Sequence, residues 1–230
     1  MILYGRNPVQ EALRAGRRRV LRVWATDALD GVDVTRASAE ELERLCGSPD
    51  HQGVVAEAEP YPYADEGTLL AGDDALVLVL DQVQDPHNLG AVARVAEAAG
   101  ASGIVIPERR AAEVTPAVCK ASAGAVEHLP IARVRNVADW LGEAKEAGAW
   151  VYGADAAASV SWDSPDWTGR VVLVLGSEGS GLRPRVASAC DELVSLPVRG
   201  KVGSLNVGTA AAALVYGILH LRERRLDKGS

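Results

Sequence analysis

The stretch RVVLVLGSEGSGLRPRVASACDELVSLPVRGKVGSLNVGTA, residues 170–210, decides the predicted fold. Two apolar runs within it, at 171–175 and 192–196, have the length and composition of buried β-strands. Each run leads into a loop rich in Gly, Ser and Pro, the first at 176–182 and the second at 197–208. Because ligands of open α/β sheets bind where parallel strands end, the two loops predict one shared ligand cleft.

The glycines of the first loop do not have the spacing of a dinucleotide-binding loop. Gly176, Gly179 and Gly181 spell G-x-x-G-x-G rather than G-x-G-x-x-G. The sequence also lacks the G-x-x-x-x-G-K-[ST] motif of phosphate-binding loops. By itself the loop is equally typical of a turn with glycines at positive φ. A nucleotide-dependent enzyme of the Rossmann type is therefore a disfavoured alternative.

From residue 75 onward, apolar runs alternate with amphipathic segments. This alternation is typical of α/β folds in which right-handed crossovers join parallel strands. We predict strands at 75–81, 103–107, 130–134 and 150–155, helices at 89–100, 115–129, 136–148 and 208–225, and a loop at 160–169. A small α+β domain at 1–60 and a linker at 61–74 precede this α/β domain, which extends over 75–230.

The α+β domain is predicted from short local patterns. Its expected elements are helices at 3–16 and 38–46 and strands at 20–26 and 51–59. Asn7 before Pro8 predicts the N-cap of the first helix, and Gly16 predicts its end. Ser38 followed by Glu41 reads as a capping box that begins the second helix.

The composition is that of an ordinary globular protein, with 48% hydrophobic residues, 24% charged residues and a net charge of −7. Cys46, Cys119 and Cys190 form no C-x-x-C pair, and the four histidines lack metal-ligand spacing, so we expect neither disulfides nor a metal site. The N-terminus does not resemble a signal peptide, and no run of about 18 apolar residues occurs. We therefore expect a cytoplasmic protein without a membrane span.

Polar residues separate a strand from a helix in DQVQDPHNLGAVARVAEAAG, residues 81–100. Asn88 is the predicted N-cap, which would leave its side chain free to face a cleft. Arg94 follows six residues later, about 600° around a helix, so the two side chains do not share a face. A helix cap and a solvated arginine explain this segment equally well on their own.

Three motifs occur in order along the α/β domain. They are D-x-x-x-D-P-x-N-x-G-x-x-x-R from Asp81 to Arg94, L-G-x-E-G-x-G-L at 175–182 and L-P-x-x-G-x-V-x-S-L-N-V at 196–207. Together they resemble the signatures of the SpoU/TrmH family of RNA ribose 2′-O-methyltransferases, in the SPOUT superfamily. The resemblance implies a SPOUT-type parallel sheet with a C-terminal trefoil knot.

The N-terminal segments LYGRNPVQEAL and HQGVVAE also have a counterpart. They resemble the small RNA-binding domain of the L30e/L7Ae ribosomal-protein type, which precedes the catalytic domain in bacterial 23S rRNA guanosine 2′-O-methyltransferases. Only DALDG separates VLRVWAT from VDV, which is too short for the helix usual there.

The resemblance implies site residues for S-adenosylmethionine, the methyl donor, and for catalysis. The implied donor-binding residues are Leu175, Gly176, Gly179, Leu196, Pro197, Ser204, Leu205 and Asn206. The implied catalytic residues are Arg94, Asn88, Glu178, Ser204 and Asn206. Without the motifs, Glu178 is equally typical of an exposed loop, and Ser204 and Asn206 of turns and helix caps.

A ribose hydroxyl is a weak nucleophile at neutral pH, so positioning and proton removal must supply the rate. A guanidinium keeps its charge throughout the physiological pH range. We therefore favour an Arg94 that orients the nucleotide and stabilises the developing alkoxide, while a role as base stays open. Glu178 and Asn206 are expected to form a polar ring around Asn88 and Arg94. Ser204 is expected to hydrogen-bond near the substrate or the donor carboxylate.

The resemblance also implies rRNA as a partner and a homodimer formed through the C-terminal domain. The candidate RNA contacts are Arg14, Arg17, Arg18, Arg19 and Arg94. The predicted closing helix has more apolar surface than one side of a sheet needs, and the residues expected at the subunit interface are Ala211, Leu214, Val215, Ile218 and Leu219.

Three further functions stay open beside a 23S rRNA guanosine 2′-O-methyltransferase. Two lie within the family, namely a tRNA guanosine 2′-O-methyltransferase and an antibiotic-resistance rRNA 2′-O-methyltransferase. The third is a non-catalytic RNA-binding or ribosome-assembly factor that kept the fold.

Overall fold

The computed structural model describes residues 1–201 and 203–226, with the backbone but not the side chain of Leu226. Val202 of the third motif and residues 227–230 of the predicted α/β domain lie outside the described residues. The described chain forms two β-sheets, one of four strands and one of seven.

The first sheet contains the N-terminal strands in the order β1-β4-β2-β3. Its elements are β1 (Ile2–Tyr4), α1 (Arg6–Ala15), β2 (Val20–Ala25), β3 (Thr35–Arg36), α2 (Ala39–Cys46), a 3-10 turn (Pro49–His51) and β4 (Val54–Ala58). Strand β4 is antiparallel to β1 and β2, and β3 is parallel to β2. The sequence did not predict β1 and β3, because strands of three and two residues are too short to show a period.

Local sequence sets the helix boundaries of this sheet, with one correction. The N-cap of α1 is Gly5, so the predicted N-cap, Asn7, is wrong. Gly5 has φ 95°, a conformation that favours glycine and lets the chain turn from β1 directly into the helix. Gly16 ends α1, and the capping box of Ser38 and Glu41 begins α2, both as predicted.

The second sheet is entirely parallel and has the strand order β7-β6-β5-β10-β8-β11-β9. Its strands are β5 (Leu76–Asp81), β6 (Gly103–Pro107), β7 (Ile131–Val134), β8 (Trp150–Ala154), β9 (Val160–Ser161), β10 (Val171–Gly176) and β11 (Glu192–Ser195). Its helices are α3 (Pro86–Ala98), α4 (Pro116–Ala121), α5 (Val137–Glu146), α6 (Pro184–Ala189) and α7 (Val207–Leu226), with 3-10 turns at Glu66–Leu70 and Ala125–Glu127. This architecture confirms the predicted α/β class; the trefoil knot stays a prediction.

Alternate residues of the central strands face two separate cores. Leu78 of β5 packs in the core that contains α3 and α7, whereas Val77 and Val79 pack in the core that contains α5. Burial on both faces explains why these strands read as continuous apolar runs. Short β9 lies inside the predicted loop 160–169, where it pairs with β11 at the edge of the sheet.

Helix α7 buries its apolar residues within one chain. Ala211, Leu214, Val215 and Ile218 are at most 1% exposed, and Leu219 is half-buried. This burial contradicts the prediction that these residues form a subunit interface, because the sheet and α3 already cover them. The homodimer itself stays a prediction.

The predicted linker 61–74 packs against the second sheet. The Tyr61 hydroxyl donates to the carbonyl oxygens of Val126 (3.1 Å) and Leu129 (2.9 Å). Leu69 and Leu70 are buried in the core under α5. The segment therefore contributes to the junction between the two sheets.

Arg18 makes the strongest polar contact of this junction. Its guanidinium pairs with both carboxylate oxygens of Glu127, and each side chain is only 1% exposed. Burial acts to lower the pKa of the guanidinium, but the Glu127 carboxylate outweighs it and the pKa is raised. This burial contradicts the prediction that Arg18 contacts RNA, since no phosphate can reach the group.

We expect Glu127→Gln to lower the free energy of unfolding by about 3 kcal/mol, because it leaves a buried guanidinium without its counter-charge. The double variant Arg18→Met/Glu127→Leu should recover most of that loss, since it removes both charges. Urea denaturation followed by circular dichroism measures both effects.

The exposed pair Arg185–Asp139, with side chains 72% and 58% exposed, is the matched control. Arg185→Ala should change the free energy of unfolding by less than about 1 kcal/mol. Equal effects of Glu127→Gln and Arg185→Ala would contradict the structural role of the buried pair.

Candidate functional site

Loops from four parallel strands meet at the carboxyl edge of the second sheet. Strands β5 and β10 are neighbours, and β8 and β11 follow β10 in the sheet. The loops after β5, β10 and β11 carry the three sequence motifs, and the loop after β8 adds a fourth wall. The predicted shared cleft is therefore present where the strands end.

Glu178 connects the three motifs through hydrogen bonds. Its Oε1 accepts from Asn88 Nδ2 at 3.2 Å and from Asn206 Nδ2. Asn206 Nδ2 also donates to Asn88 Oδ1 at 2.9 Å. These side chains, which are 90, 118 and 28 residues apart in sequence, form a closed polar triad that we call the Asn88–Glu178–Asn206 ring.

Asn206 also fixes the start of α7. Its Oδ1 accepts from the backbone N–H groups of Gly208 (2.9 Å) and Thr209 (3.2 Å). The amide therefore caps the helix with its oxygen and binds the ring with its nitrogen. Asn206 therefore caps α7 and takes part in the ring at the same time, and its role in catalysis or donor binding stays a prediction.

Helix α3 begins three residues earlier than predicted. Asp85 is its N-cap and accepts from the His87 N–H at 2.8 Å, so the predicted N-cap, Asn88, is wrong. Pro86 takes the first helical position, which its fixed φ favours. Asn88 instead lies in the first helical turn, half-buried, where its side chain reaches Glu178.

A buried carboxylate holds the far end of the glycine turn. Asp81, which is 0% exposed, accepts from Arg183 N (2.9 Å) and Nε (2.7 Å), and its Oδ1 lies 2.6 Å from Arg183 Nη2 in a salt bridge. The pair joins the end of β5 to the residue after the turn. The sequence analysis missed this role, although a single acid that ends an apolar strand is a usable signal.

Close backbone contact explains the glycines of the turn. A Cβ at Gly176 would lie 2.2 Å from the carbonyl carbon of Gly181. Ser177 and Gly181 exchange backbone hydrogen bonds of 3.2 and 3.0 Å, and Gly179 and Gly181 have φ 84° and 64°. The turn is therefore closed on itself and requires glycine at these three positions.

A cavity of about 400 Å³ lies between these loops, within the size range of small-molecule sites. Six of the predicted donor-binding residues line it, namely Leu175, Gly176, Gly179, Leu196, Ser204 and Leu205. Pro197 and Asn206 are absent from its described walls, and Asn206 contacts it through Glu178, which is a lining residue.

The cavity has residues that the sequence analysis did not identify. They are Ala154 at the end of β8 and Asp155 and Ala156 after it, together with Val194, Val198, Val207, Ala210 and Leu214. Most are apolar, so one side of the cavity suits a flat aromatic ring. Asp155 Oδ1 accepts from the Ala157 N–H at 2.8 Å, which fixes a carboxylate at the rim beside the apolar wall. A ligand with an aromatic ring and cationic or hydroxyl groups fits these walls.

Arg94 lies apart from the cavity. It is exposed on α3 and, among the described residues, makes no hydrogen bond to the Asn88–Glu178–Asn206 ring. The expected ring therefore contains Asn88 but not Arg94. As the helical spacing predicted, Asn88 and Arg94 face different directions.

Among the remaining candidate RNA arginines, Arg14 lies on α1, and Arg17 and Arg19 lie between α1 and β2. Arg14 is exposed and pairs with Glu11 at 2.6 Å, and Arg19 is exposed. Arg17 is half-buried because it donates to the Leu129 carbonyl oxygen at 3.0 Å. Arg14 and Arg19 are thus accessible to a polyanion.

The side chains of the described residues favour neither a metal site nor a cysteine nucleophile. Among residues 1–201 and 203–226, no three His, Cys, Asp or Glu side chains are grouped as metal ligands would be. Burial raises the pKa of the Cys119 and Cys190 thiols to about 12, which disfavours a thiolate nucleophile.

Within the described chain, no helix has the combined length and apolar character needed to cross a bilayer.

Comparison with known proteins gives two matches to family models. The SpoU rRNA Methylase family matches residues 75–216, and the RNA 2′-O ribose methyltransferase substrate binding family matches residues 2–64. YacO of Bacillus subtilis, whose name places it in the TrmH family of tRNA/rRNA methyltransferases, is 39% identical over 237 residues, which cover 95% of this chain and 94% of YacO.

Two crystal structures with bound AdoMet, which is S-adenosylmethionine, share the fold. The SpoU methyltransferase AviRb from Streptomyces viridochromogenes has a TM-score of 0.81 and 27% identity, with 97% of this chain and 90% of AviRb covered. The rRNA methyltransferase from Sinorhizobium meliloti has a TM-score of 0.83 and 26% identity, with 95% of this chain and 86% of that chain covered. Because a family model matches more than half of the 230 residues and YacO aligns over nearly the whole chain, the protein belongs to the SpoU rRNA methylase family.

Proposed function

We propose that the protein transfers a methyl group from S-adenosylmethionine to the ribose 2′-hydroxyl of a nucleotide in RNA. The observation that carries this proposal is the Asn88–Glu178–Asn206 ring, which brings three motifs to the edge of one cavity. The AdoMet-bound structures of AviRb and the Sinorhizobium meliloti enzyme support the choice of methyl donor.

The cavity walls suit the parts of this donor. Leu175, Leu196 and Leu205 provide the apolar surface for an adenine ring, and the backbone of Gly176 lines the same cavity. Asp155 offers a fixed carboxylate for hydroxyl or ammonium groups. When bound, S-adenosylmethionine supplies an electrophilic methyl carbon.

The residues beside the cavity position the nucleotide. Asn88 and Asn206 are held by Glu178, so their amides are already oriented when the ribose arrives. Ser204 lines the cavity and is exposed, which leaves its hydroxyl free for the substrate or the donor carboxylate. We assign Arg94 a phosphate-orienting and charge-stabilising role, which its exposed position on α3 permits.

For the target we propose a guanosine of 23S rRNA. The matched SpoU rRNA Methylase family and the rRNA methyltransferase of Sinorhizobium meliloti support rRNA. The name of YacO includes both tRNA and rRNA, so a tRNA target is the second candidate. Arg14 on α1 and Arg19 between α1 and β2, both in the segment matched as substrate-binding, are the proposed remote RNA contacts.

Four further features belong to the same proposal. We propose that the chain after β10 is wound as a trefoil knot and that two copies associate through the C-terminal domain. We also propose that residues 1–60 and 75–230 act as the substrate-binding and catalytic domains, joined by 61–74. Because rRNA is the proposed substrate, we also propose a cytoplasmic location for the protein.

The test of this function is methyl transfer from tritiated S-adenosylmethionine to an unmodified 23S rRNA transcript and to tRNA transcripts. Nucleoside analysis of the product should place the label on the ribose 2′-oxygen, in 2′-O-methylguanosine. Calorimetry should detect S-adenosylmethionine binding by the protein alone. Absence of both binding and transfer would favour the non-catalytic RNA-binding factor.

We expect Arg94→Ala to lower kcat by about 100-fold or more, in the range typical of a lost charge-stabilising donor. The dissociation constant for S-adenosylmethionine should stay within about twofold of wild type, because Arg94 is absent from the described walls of the donor cavity. Single-turnover transfer and calorimetry measure the two quantities. Transfer at the wild-type rate by Arg94→Ala would remove the assigned role.

Arg94→Lys separates the two roles considered for this residue. A lysine keeps the positive charge but loses the planar pair of donors. If Arg94 acts as a charged group, Arg94→Lys should keep more activity than Arg94→Ala, and its pH–rate profile should retain the wild-type shape. A new ionisation in that profile would favour the role as base.

We expect Asp81→Asn to weaken S-adenosylmethionine binding by about 10-fold, because it loosens the turn that Arg183 anchors. Asp73→Asn is the matched control, since Asp73 forms a salt bridge with Arg170 and is 97% exposed. Calorimetry on both variants measures the difference. Equal donor affinity of the two variants would show that the anchor does not shape the cavity.

A further inference from the structure

A second cavity, of about 320 Å³, lies on the other side of Glu178. The residues that line it are Gln82, Val83, Gln84, Asp85, Asn88, Ser177, Glu178, Ser180 and Val207. Ser177, Glu178 and Ser180 also line the donor cavity, as does Val207. The two cavities therefore share one wall, so a ligand in each would meet at the Asn88–Glu178–Asn206 ring.

The charge of this second cavity excludes a phosphate as its occupant. Its described walls contain the carboxylates of Asp85 and Glu178 and no lysine or arginine. A phosphate placed there would face two like charges without a counter-charge. A neutral, hydrogen-bonding group fits better, and the parts of a nucleotide that meet this description are the base and the ribose.

Gln82 and Gln84 supply the groups that can read a base. A glutamine amide has two donors and one acceptor oxygen, which match the edge of a nucleobase. Within the described residues, neither amide has a hydrogen-bond partner. The Asp85 carboxylate is less available to a ligand, because its Oδ1 accepts from the His87 N–H at 2.8 Å. The amides of Gln82 and Gln84 are thus the side-chain groups of this cavity that can hydrogen-bond to a base.

The backbone at Gln82 indicates that its position is constrained. Gln82 has φ 61°, in the left-handed region that residues other than Gly and Asn rarely adopt. The neighbouring Asp81 is fixed by Arg183, so the turn out of β5 starts from a rigid point. Unfavourable backbone conformations of this kind persist where surrounding contacts hold them, often at functional sites.

We propose that this second cavity receives the base of the target nucleotide and that Gln82 and Gln84 select the base through their amides. The proposal rests on the proposed function. Asn88 then lies between base and methyl donor, beside the ribose. Gln82 and Gln84 act as specificity-determining residues, and the cavity walls rather than Arg94 discriminate among the four bases.

The test compares wild type with Gln84→Met and Gln82→Met, which remove the amide and keep an unbranched side chain. Each is incubated with tritiated S-adenosylmethionine and with unmodified 23S rRNA and tRNA transcripts, and the four 2′-O-methylnucleosides are quantified. We expect a loss of kcat/KM of roughly 5- to 100-fold per lost amide–base contact and a smaller share of the nucleoside that dominates for wild type. Gln84 is exposed, so its variant keeps the test valid if Gln82→Met fails to fold.

Glu146→Met, at an exposed position on α5 that lines neither cavity, is the control and should match wild type in both readouts. The dissociation constant for S-adenosylmethionine should stay within about twofold in all variants, which separates base selection from damage to the donor cavity. Unchanged rate and nucleoside distribution in both glutamine variants, with wild type active, would overturn this proposal alone. A wild-type protein that binds no S-adenosylmethionine and transfers no methyl group would overturn the proposed function and this proposal with it.

Discussion

The carboxylate of Glu178 is the contact on which the arrangement of the site depends. It accepts from the amides of Asn88 and Asn206, and so joins the loops after β5, β10 and β11 at one point. In the described residues, these loops contain no helix or strand that would pair with the sheet. Without the carboxylate, the Asn88 amide nitrogen would lose its acceptor, and the three loops would lose the group that joins them.

A second carboxylate, Asp81, makes the first contact possible. It is fully buried, and its charge is matched by the Arg183 guanidinium and one backbone N–H. Asp81 thereby fixes both ends of the glycine turn. It is the strand partner of Gly176, which ends β10, and it binds Arg183, which follows the turn. Close backbone packing between Gly176 and Gly181 then leaves Glu178 only a narrow range of positions. In the proposed function, the donor cavity and the nucleotide-positioning residues are therefore parts of one preorganised unit.

The two sheets depend on a different kind of contact. Arg18 and Glu127 form a buried ion pair between the N-terminal part and the second sheet, and Tyr61 adds two hydrogen bonds beside it. A buried pair of this type contributes less to stability than to specificity of docking. It fixes where Arg14 and Arg19 stand relative to the cavity, which matters for a substrate as large as RNA.

The sequence predicted the sheet well, because strands such as β5 and β10 are buried on both faces and read as apolar runs. It failed for β1, β3 and β9, where two or three residues form no pattern. The three motifs predicted the cavity and its Leu and Gly walls.

Other features depend on contacts that sequence cannot show. Arg18 looked like part of a surface cluster, but its partner is 109 residues away. Asn88 resembled an N-cap, and only the structure shows Asp85 in that role. The apolar residues of α7 predicted an interface, because a single sequence does not reveal that α3 already covers that helix. Long-range partners decided the cases of Arg18 and α7, and a local cap by Asp85 decided that of Asn88.

A crystal structure with S-adenosylhomocysteine, the demethylated donor, tests the central claim most directly. The account predicts density for its adenine ring against Leu175, Leu196 and Leu205, with the sulfur pointing toward the Asn88–Glu178–Asn206 ring. Density for the ligand at any other place on the protein, or a sulfur directed away from that ring, would contradict the account.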